Sequence, residues 1–440
     1  MITHRRPLGQ PRLPYGDGVR APQVPLPALA WLLGTALAAG LVAAVAPGPL
    51  LGRSAAPASG QLAAIVVALG VVAALTAASA TGALRRIPWV LALLLAWVGA
   101  AVFPLVLGWV EVDRGTQVGR PTDGYVREVS QVDDEPGRYL RSVAVLQRLE
   151  PPEGAPHAGM THAPGRTLAV RGAQVLGASP GTAAAVLLAI VGGLAVPLLL
   201  VAVRSFAGIE PAQDLLPVLV ALPGAALAWG STDVLVAAIA AGALAWGVTG
   251  AARRRGLVSA AGAGLLLGGV ALTDYAVVWG VAAALACTYF ARRRPLLNLV
   301  TAVTALMPLA LFSQAGFAWP DGLGAARHAL SGRPWAAWVI PSLVALAIAA
   351  GPAVVGAAAS LRRTAGWPLL VGGAVVVLAS IALGLARGGA ERAWWPAALL
   401  LVTASTATPV DRRHTPWLVG LSGLTAVLLA AFVVPSWVVG

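Results

Sequence analysis

A chain of 440 residues that is 58% apolar and only 11% charged lies outside the soluble globular class, where about a quarter of residues carry charge. The formal charge of +13 would point to nucleic acid in a soluble protein, but the cations here, all arginine, are sorted by position along the chain, so no nucleic-acid partner is expected. The apolar residues form continuous blocks of about 20, enough to cross ~30 Å of hydrocarbon as a helix; the runs do not alternate, which excludes a barrel and predicts an all-α polytopic membrane protein.

Residues 1–27 are proline-rich and polar, too long for the n-region of a signal peptide, and read as a disordered cytoplasmic tail before an uncleaved first span. Residues 28–110 hold three spans, at 28–47, 61–82 and 88–110. A long polar segment, 111–179, follows. The remainder, 180–440, holds spans four to thirteen, at 181–203, 213–230, 234–250, 257–273, 275–290, 295–317, 336–358, 367–386, 396–410 and 416–438. The stretch 257–290 is split at Asp274 and Tyr275, because an unpaired carboxylate at mid-bilayer is costly. Cys287 is the only cysteine, so no intrachain disulfide can form.

Arginine placement tests the count. With the N-terminus inside, the cytoplasmic segments carry 17 arginines and four acids, in clusters such as Arg85–Arg86, Arg253–Arg255, Arg292–Arg294 and Arg362–Arg363. The outer side carries 13 of each, so the whole excess lies inside. The expected topology in the cell membrane is N-in, C-out with about 13 transmembrane helices. Tryptophans at predicted span ends (Trp89, Trp109, Trp229, Trp335, Trp367, Trp394, Trp395, Trp417 and Trp437) read as an interfacial belt.

The outer loop 111–179 carries nine of the protein's 17 acids. Loops of this length are usually functional or disordered. Glu135-Pro136 opens a short amphipathic helix running to Leu149, with Tyr139, Leu140, Val143, Leu146 and Leu149 on one side. That pattern predicts a helix lying in the membrane interface. A second helix is predicted from His162-Ala163-Pro164-Gly165-Arg166 toward Leu176. Its N-terminus, flanked by His162 and Arg166 with His157 upstream, suits a phosphate, and a lipid phosphate is the natural guest; ordinary helix capping with solvent-facing histidines explains the same residues. Further outward polar residues are Asp233, Asp274 with Tyr275, the loop Trp319-Pro320-Asp321-Gly322 with Arg327, His328 and Arg333, and Glu391-Arg392. They fall in separate turns that share one face, as a site over a membrane scaffold requires.

At these residues the sequence resembles the C-type (GT-C) integral membrane glycosyltransferases, in particular an actinobacterial group with methylthioxylose-transferase and mannosyltransferase-like members. The resemblance runs from about residue 28 to the C-terminus. It rests on a long outer loop ending in a His-Pro-Pro-Gly-like motif (here His162-Ala163-Pro164-Gly165), on Ala315-Gly316-Phe317 with Trp319-Pro320-Asp321-Gly322-Leu323, on Gly332-Arg333-Pro334-Trp335, and on Glu391-Arg392-Ala393-Trp394-Trp395-Pro396. It implies an inverting transfer of a sugar, methylthioxylose or mannose in that group, from a polyprenyl-phosphate donor to an envelope polysaccharide or lipoglycan on the outer side. A loop carboxylate would serve as the base.

Asp113, just past the third span, and Asp123, in Pro121-Thr122-Asp123-Gly124-Tyr125, are equal candidates for that base. The resemblance assigns His162, Arg166 and Arg392 to the donor phosphate, and His157, Tyr125, Asp274, Tyr275, Asp321, Arg327 and Glu391 to the sugar and acceptor pocket. The chain departs from the motif at Ala163, where the family has its first proline. Acidic loops can hold a divalent cation, yet no two acids here show a compelling ligand spacing, so they read as solvated. Two other readings stay open: a transporter or flippase of a lipid-linked sugar, and a relative that keeps the fold without the activity.

Overall fold

The computed structural model describes residues 26–45, 51–53, 59–112, 139–141, 162–176, 182–228, 230–253, 256–354, 365–387, 393–406 and 414–435. Every apolar block read from the sequence contains a helix. In chain order these are α1 (Leu26–Val45), α2 (Ser59–Thr81), a single turn α3 (Ala83–Arg86) and α4 (Trp89–Val112). Beyond the loop lie α5 (Gly165–Val175), α6 (Thr182–Gly192), α7 (Ala195–Ala207), α8 (Ile209–Val220) and α9 (Gly224–Ala228). There follow α10 (Asp233–Ala252), α11 (Leu257–Ala271), α12 (Val277–Ala291), α13 (Leu296–Gln314) and α14 (Trp319–Ala329). The bundle is completed by α15 (Trp335–Ala350), α16 (Trp367–Ala382), α17 (Trp395–Thr406) and α18 (Thr415–Phe432).

Among the described residues, six helical segments are long and apolar enough to cross a membrane; α6 and α7 count as one of them, since only a short turn at Gly193-Leu194 separates them. Among these six, α10 is the central helix, 72% buried, and α13 the most peripheral, 11% buried. The outward face of α13 exposes Leu299, Leu306 and Leu311, each more than 60% accessible. Contiguous apolar surface of that kind is not left to water, and it suggests a membrane protein.

Helices approach closely where side chains are small, as lipid-embedded packing favours. On α11, Gly268 lies against α13: a methyl group there would come within 2.5 Å of the Ala305 carbonyl oxygen. On α18, Gly423 lies against α2, where an added methyl would sit 2.6 Å from a Val72 methyl. Prolines inside α4, α8, α13 and α15 (Pro104, Pro217, Pro308 and Pro341) leave carbonyls that neighbouring helices can satisfy.

The described residues are helical as expected, apart from one short pairing: β1 (Leu51–Arg53) runs antiparallel to β2 (Val433–Pro435) and joins the far end of α1 to the far end of α18. One feature differs from the sequence reading. Trp394 and Trp395 do not belong to an interfacial belt. They are 1% and 7% exposed, and Trp395 packs over Gly224 of α9. The Trp395 indole fills the space that Gly224 leaves, and packing outweighs the interfacial preference.

The arginine clusters meet at one end of the bundle. Arg85 grips Asp214 through two hydrogen bonds of 2.5 Å, Gln213 donates to the Ile87 carbonyl at 3.1 Å, and Arg204 stacks 5.1 Å over Trp89. Arg292 donates to the Ser205 carbonyl at 3.0 Å and Arg294 to that of Arg253. These contacts join the turns before α4, α8, α11 and α13, which the sequence reading placed on a single side.

Candidate functional site

The opposite end of the bundle gathers α5, the turns before α10 and α12, and α14. The sequence reading's split at Asp274 coincides with the break between α11 and α12. Asp274 Oδ1 accepts the backbone N–H groups of Ala276 (2.8 Å) and Val277 (2.9 Å). A carboxylate there satisfies donors that a starting helix leaves unpaired, and favours the positive end of the helix dipole. Asp233 stands in the first turn of α10 and is buried; its second oxygen accepts from the Ser231 hydroxyl at 2.5 Å.

Arg166, in the first turn of α5, reaches across to both. Its Nη1 donates to Asp233 Oδ1 at 2.6 Å and to the Thr232 hydroxyl at 3.2 Å, its Nη2 to Asp274 Oδ2 at 2.7 Å, and its Nε to the Thr273 carbonyl at 2.7 Å. The side chain is 2% exposed. A buried guanidinium is tolerated when its donors are matched and its charge paired. Two carboxylates against one cation leave a nominal charge of −1, and the N-termini of α10 and α12 add about +0.5 each, so the cluster is close to neutral.

The motif around Arg166 is built for close approach. Gly165 N–H donates to the Leu272 carbonyl at 2.8 Å, and a methyl group on Gly165 would lie 2.5 Å from that oxygen. Ala163 is buried beside Tyr275 and Ala326. Ala163 is thus packed under α14.

Tyr275 occupies the centre of this second contact. Its ring meets Trp319 edge-on at 5.5 Å, and Trp319 Nε1 donates to the Ala271 carbonyl at 2.9 Å. The phenol is 3% exposed and its hydroxyl has no hydrogen-bond partner among the described residues. It rests against the α-carbon of Gly322. Burial first, and the neighbouring Asp274 charge second, push its pKa above the usual phenol value, while the Arg166 charge opposes them. Tyr139 and Leu140, from the predicted interfacial helix, are buried against Leu272 and Phe317. That part of the 111–179 segment packs on the bundle.

The structure therefore brings together Arg166, Asp274 and Tyr275 from the sequence-derived set, with Asp233. Arg166, expected at a donor phosphate, meets the carboxylates of Asp233 and Asp274 among the described residues. His162 is half-buried at the start of α5, and Asp321 and Arg327 are exposed on α14. Asp113, Asp123, Tyr125, His157, Glu391 and Arg392 lie outside the described residues. Among the described residues no three His, Cys, Asp or Glu side chains gather as a metal site would require. Sequence reasoning missed the pairing of Arg166 with Asp233 and Asp274; the available signal was a lone arginine in an apolar helical turn facing two isolated outer acids. No known protein family matches the chain, and neither does any curated protein.

Proposed function

We propose that the chain is a multi-pass GT-C-like glycosyltransferase of the cell membrane, N-terminus inside and C-terminus outside. It would move a sugar from a polyprenyl phosphate to an envelope polysaccharide or lipoglycan. The observation that carries this reading is the Arg166 tie, which fastens the end of the long loop to the turns bearing Asp233, Asp274 and Tyr275. A base on that loop needs a fixed address over the bundle, because transfer demands reacting atoms held about 3–3.5 Å apart. Arg166 is in this reading a positioning residue.

The chemistry is a single displacement. Asp113 or Asp123 takes the proton of an acceptor hydroxyl, whose oxygen forms the new bond to the anomeric carbon. The bond from that carbon to the phosphate oxygen breaks, the phosphate leaves with the electron pair, and configuration inverts. A cation near the leaving oxygen steadies its growing charge; His162 and Arg392 are the candidates, and Asp321 and Arg327 would border the sugar. A transporter of the same lipid-linked sugar is the competing class. Its ionisable groups belong near the bilayer midplane, whereas the buried charged side chains among the described residues, Arg166 and Asp233, sit at helix ends, which favours the transferase.

The test is sugar and linkage analysis of the envelope glycans of a deletion strain, complemented with wild type or with an Asp113→Asn/Asp123→Asn double variant. Loss of one sugar that wild type restores and the double variant does not is the expected result. An unchanged glycan profile on deletion would overturn the proposal.

A further inference from the structure

At the rim of the same end, the start of α15 and the end of α16 hold two arginines against each other. Arg333 Nη1 donates to the Arg387 carbonyl at 2.7 Å, while Arg387 Nη1 donates to the carbonyls of Leu330 (3.1 Å) and Arg333 (3.2 Å). Like charges repel, and here each cation is fixed by the other's backbone rather than by an acid. No acidic side chain among the described residues pairs with either one. Arg387 Nε is buried and has no hydrogen-bond partner among the described residues. Two guanidiniums each tied to the other residue's carbonyl, with the remaining donors free of acids among the described residues, are arranged for an anion with several acceptor oxygens.

The surroundings say which anion. Arg333 lies 5.8 Å from the ring of Trp338, and Trp335, 45% exposed, donates its indole N–H to the Ile381 carbonyl at 2.7 Å. Partly exposed tryptophans with a satisfied N–H mark the headgroup level of a bilayer. Along the same two helices, Ile340 and Leu378 are each 64% exposed. An acyl chain against that apolar surface would bring its phosphate to the arginine pair.

We infer that Arg333 and Arg387 form a binding site for the phosphate of an anionic membrane-lipid headgroup. The site does not depend on the transferase reading. It would anchor the α15–α16 edge at a fixed depth in the leaflet.

The test uses the full chain purified in an uncharged detergent, titrated with dioleoylphosphatidylglycerol or with inorganic phosphate. Melting temperature and bound-lipid mass are recorded. Lipid should raise the wild-type melting temperature and remain bound in the mass spectrum. An Arg333→Gln/Arg387→Gln double variant should bind it about tenfold or more weakly, the loss expected from removing charge-assisted bonds. Should that variant not fold, Arg333→Lys/Arg387→Lys keeps the charge but loses the planar donor edge, and should weaken lipid binding without lowering the lipid-free melting temperature. Arg86→Gln, at the other end of the bundle, should bind as wild type does. Equal lipid binding by wild type and the double variants would overturn the site. Equal stabilisation by inorganic phosphate alone would overturn its assignment to a lipid.

Discussion

The guanidinium of Arg166 meets the carboxylate of Asp274 at 2.7 Å across 108 residues of chain, and the same group holds Asp233 at 2.6 Å. One side chain thus fastens α5 to the first turn of α10 and to the start of α12. Its surroundings exclude water, so each member depends on the others' charge. Consequences follow for stability, pH response and packing.

Arg166→Ala leaves the buried Asp233 and the partly buried Asp274 carboxylates without their cation, and should lower stability by about 3 kcal/mol. Arg166→Met combined with Asp233→Asn and Asp274→Asn removes the charges together and should recover a large part of that loss. Thermal melts of the detergent-solubilised proteins decide it. A single variant as damaging as the triple one would place the effect in lost packing rather than unpaired charge.

Asp214→Asn at the opposite end provides the contrast. Arg85 and Asp214 are 24% and 31% exposed, so solvent screens the pair. The expected loss is at most about 1 kcal/mol, and high salt should shrink it further. The same melts, at low and high ionic strength, measure both.

Tyr275 predicts an alkaline limit. Its folded-state pKa is raised above the unfolded value near 10, so the native state holds the phenolic proton more tightly. The associated stability is fully present below that unfolded value and declines as pH rises beyond it, with no effect at neutrality. Tyr275→Phe keeps the ring and removes a buried hydroxyl that lacks a partner. It should be neutral or stabilising by about 1 kcal/mol at pH 7, and should flatten the decline between wild-type melts at pH 9 and pH 11.

Gly322→Ala should clash, because an added methyl meets the Tyr275 hydroxyl and would lie 2.9 Å from the Phe317 ring. The penalty should fall in a Tyr275→Phe background, giving a coupling of about 0.5–3 kcal/mol. Additive effects in a double-mutant cycle would show that the two positions do not touch.

The sequence announced the helices clearly because lipid imposes a single rule on each crossing segment: about 20 apolar residues with their backbone groups satisfied internally. Even the break at Asp274 was visible, since a carboxylate has no cheap place in the middle of a helix. Breaks within a block were not visible. The turns after Gly192 and after Val220 interrupt apolar runs that carry no polar signal. Pairings were harder still. The pairing of Arg166 with Asp233 and Asp274 went unread because nothing local says that these acids will reach it, and Arg387 drew no notice because its meeting with Arg333 joins the ends of different helices. Trp394 and Trp395 misled for the same reason: a tryptophan at a span end looks alike whether it faces a headgroup or the small residues of a neighbouring helix.

The antiparallel pairing of Leu51–Arg53 with Val433–Pro435, beside the Gly423–Val72 contact, sets a schedule. The face of α2 that carries Val72 is finished only by α18, translated long after it. Until then that face must rest on lipid or on an insertion chaperone. Maturation of the bundle therefore waits for the seam to close, and shortened chains ending before α18 should be recognised by quality-control proteases however well their earlier helices have inserted.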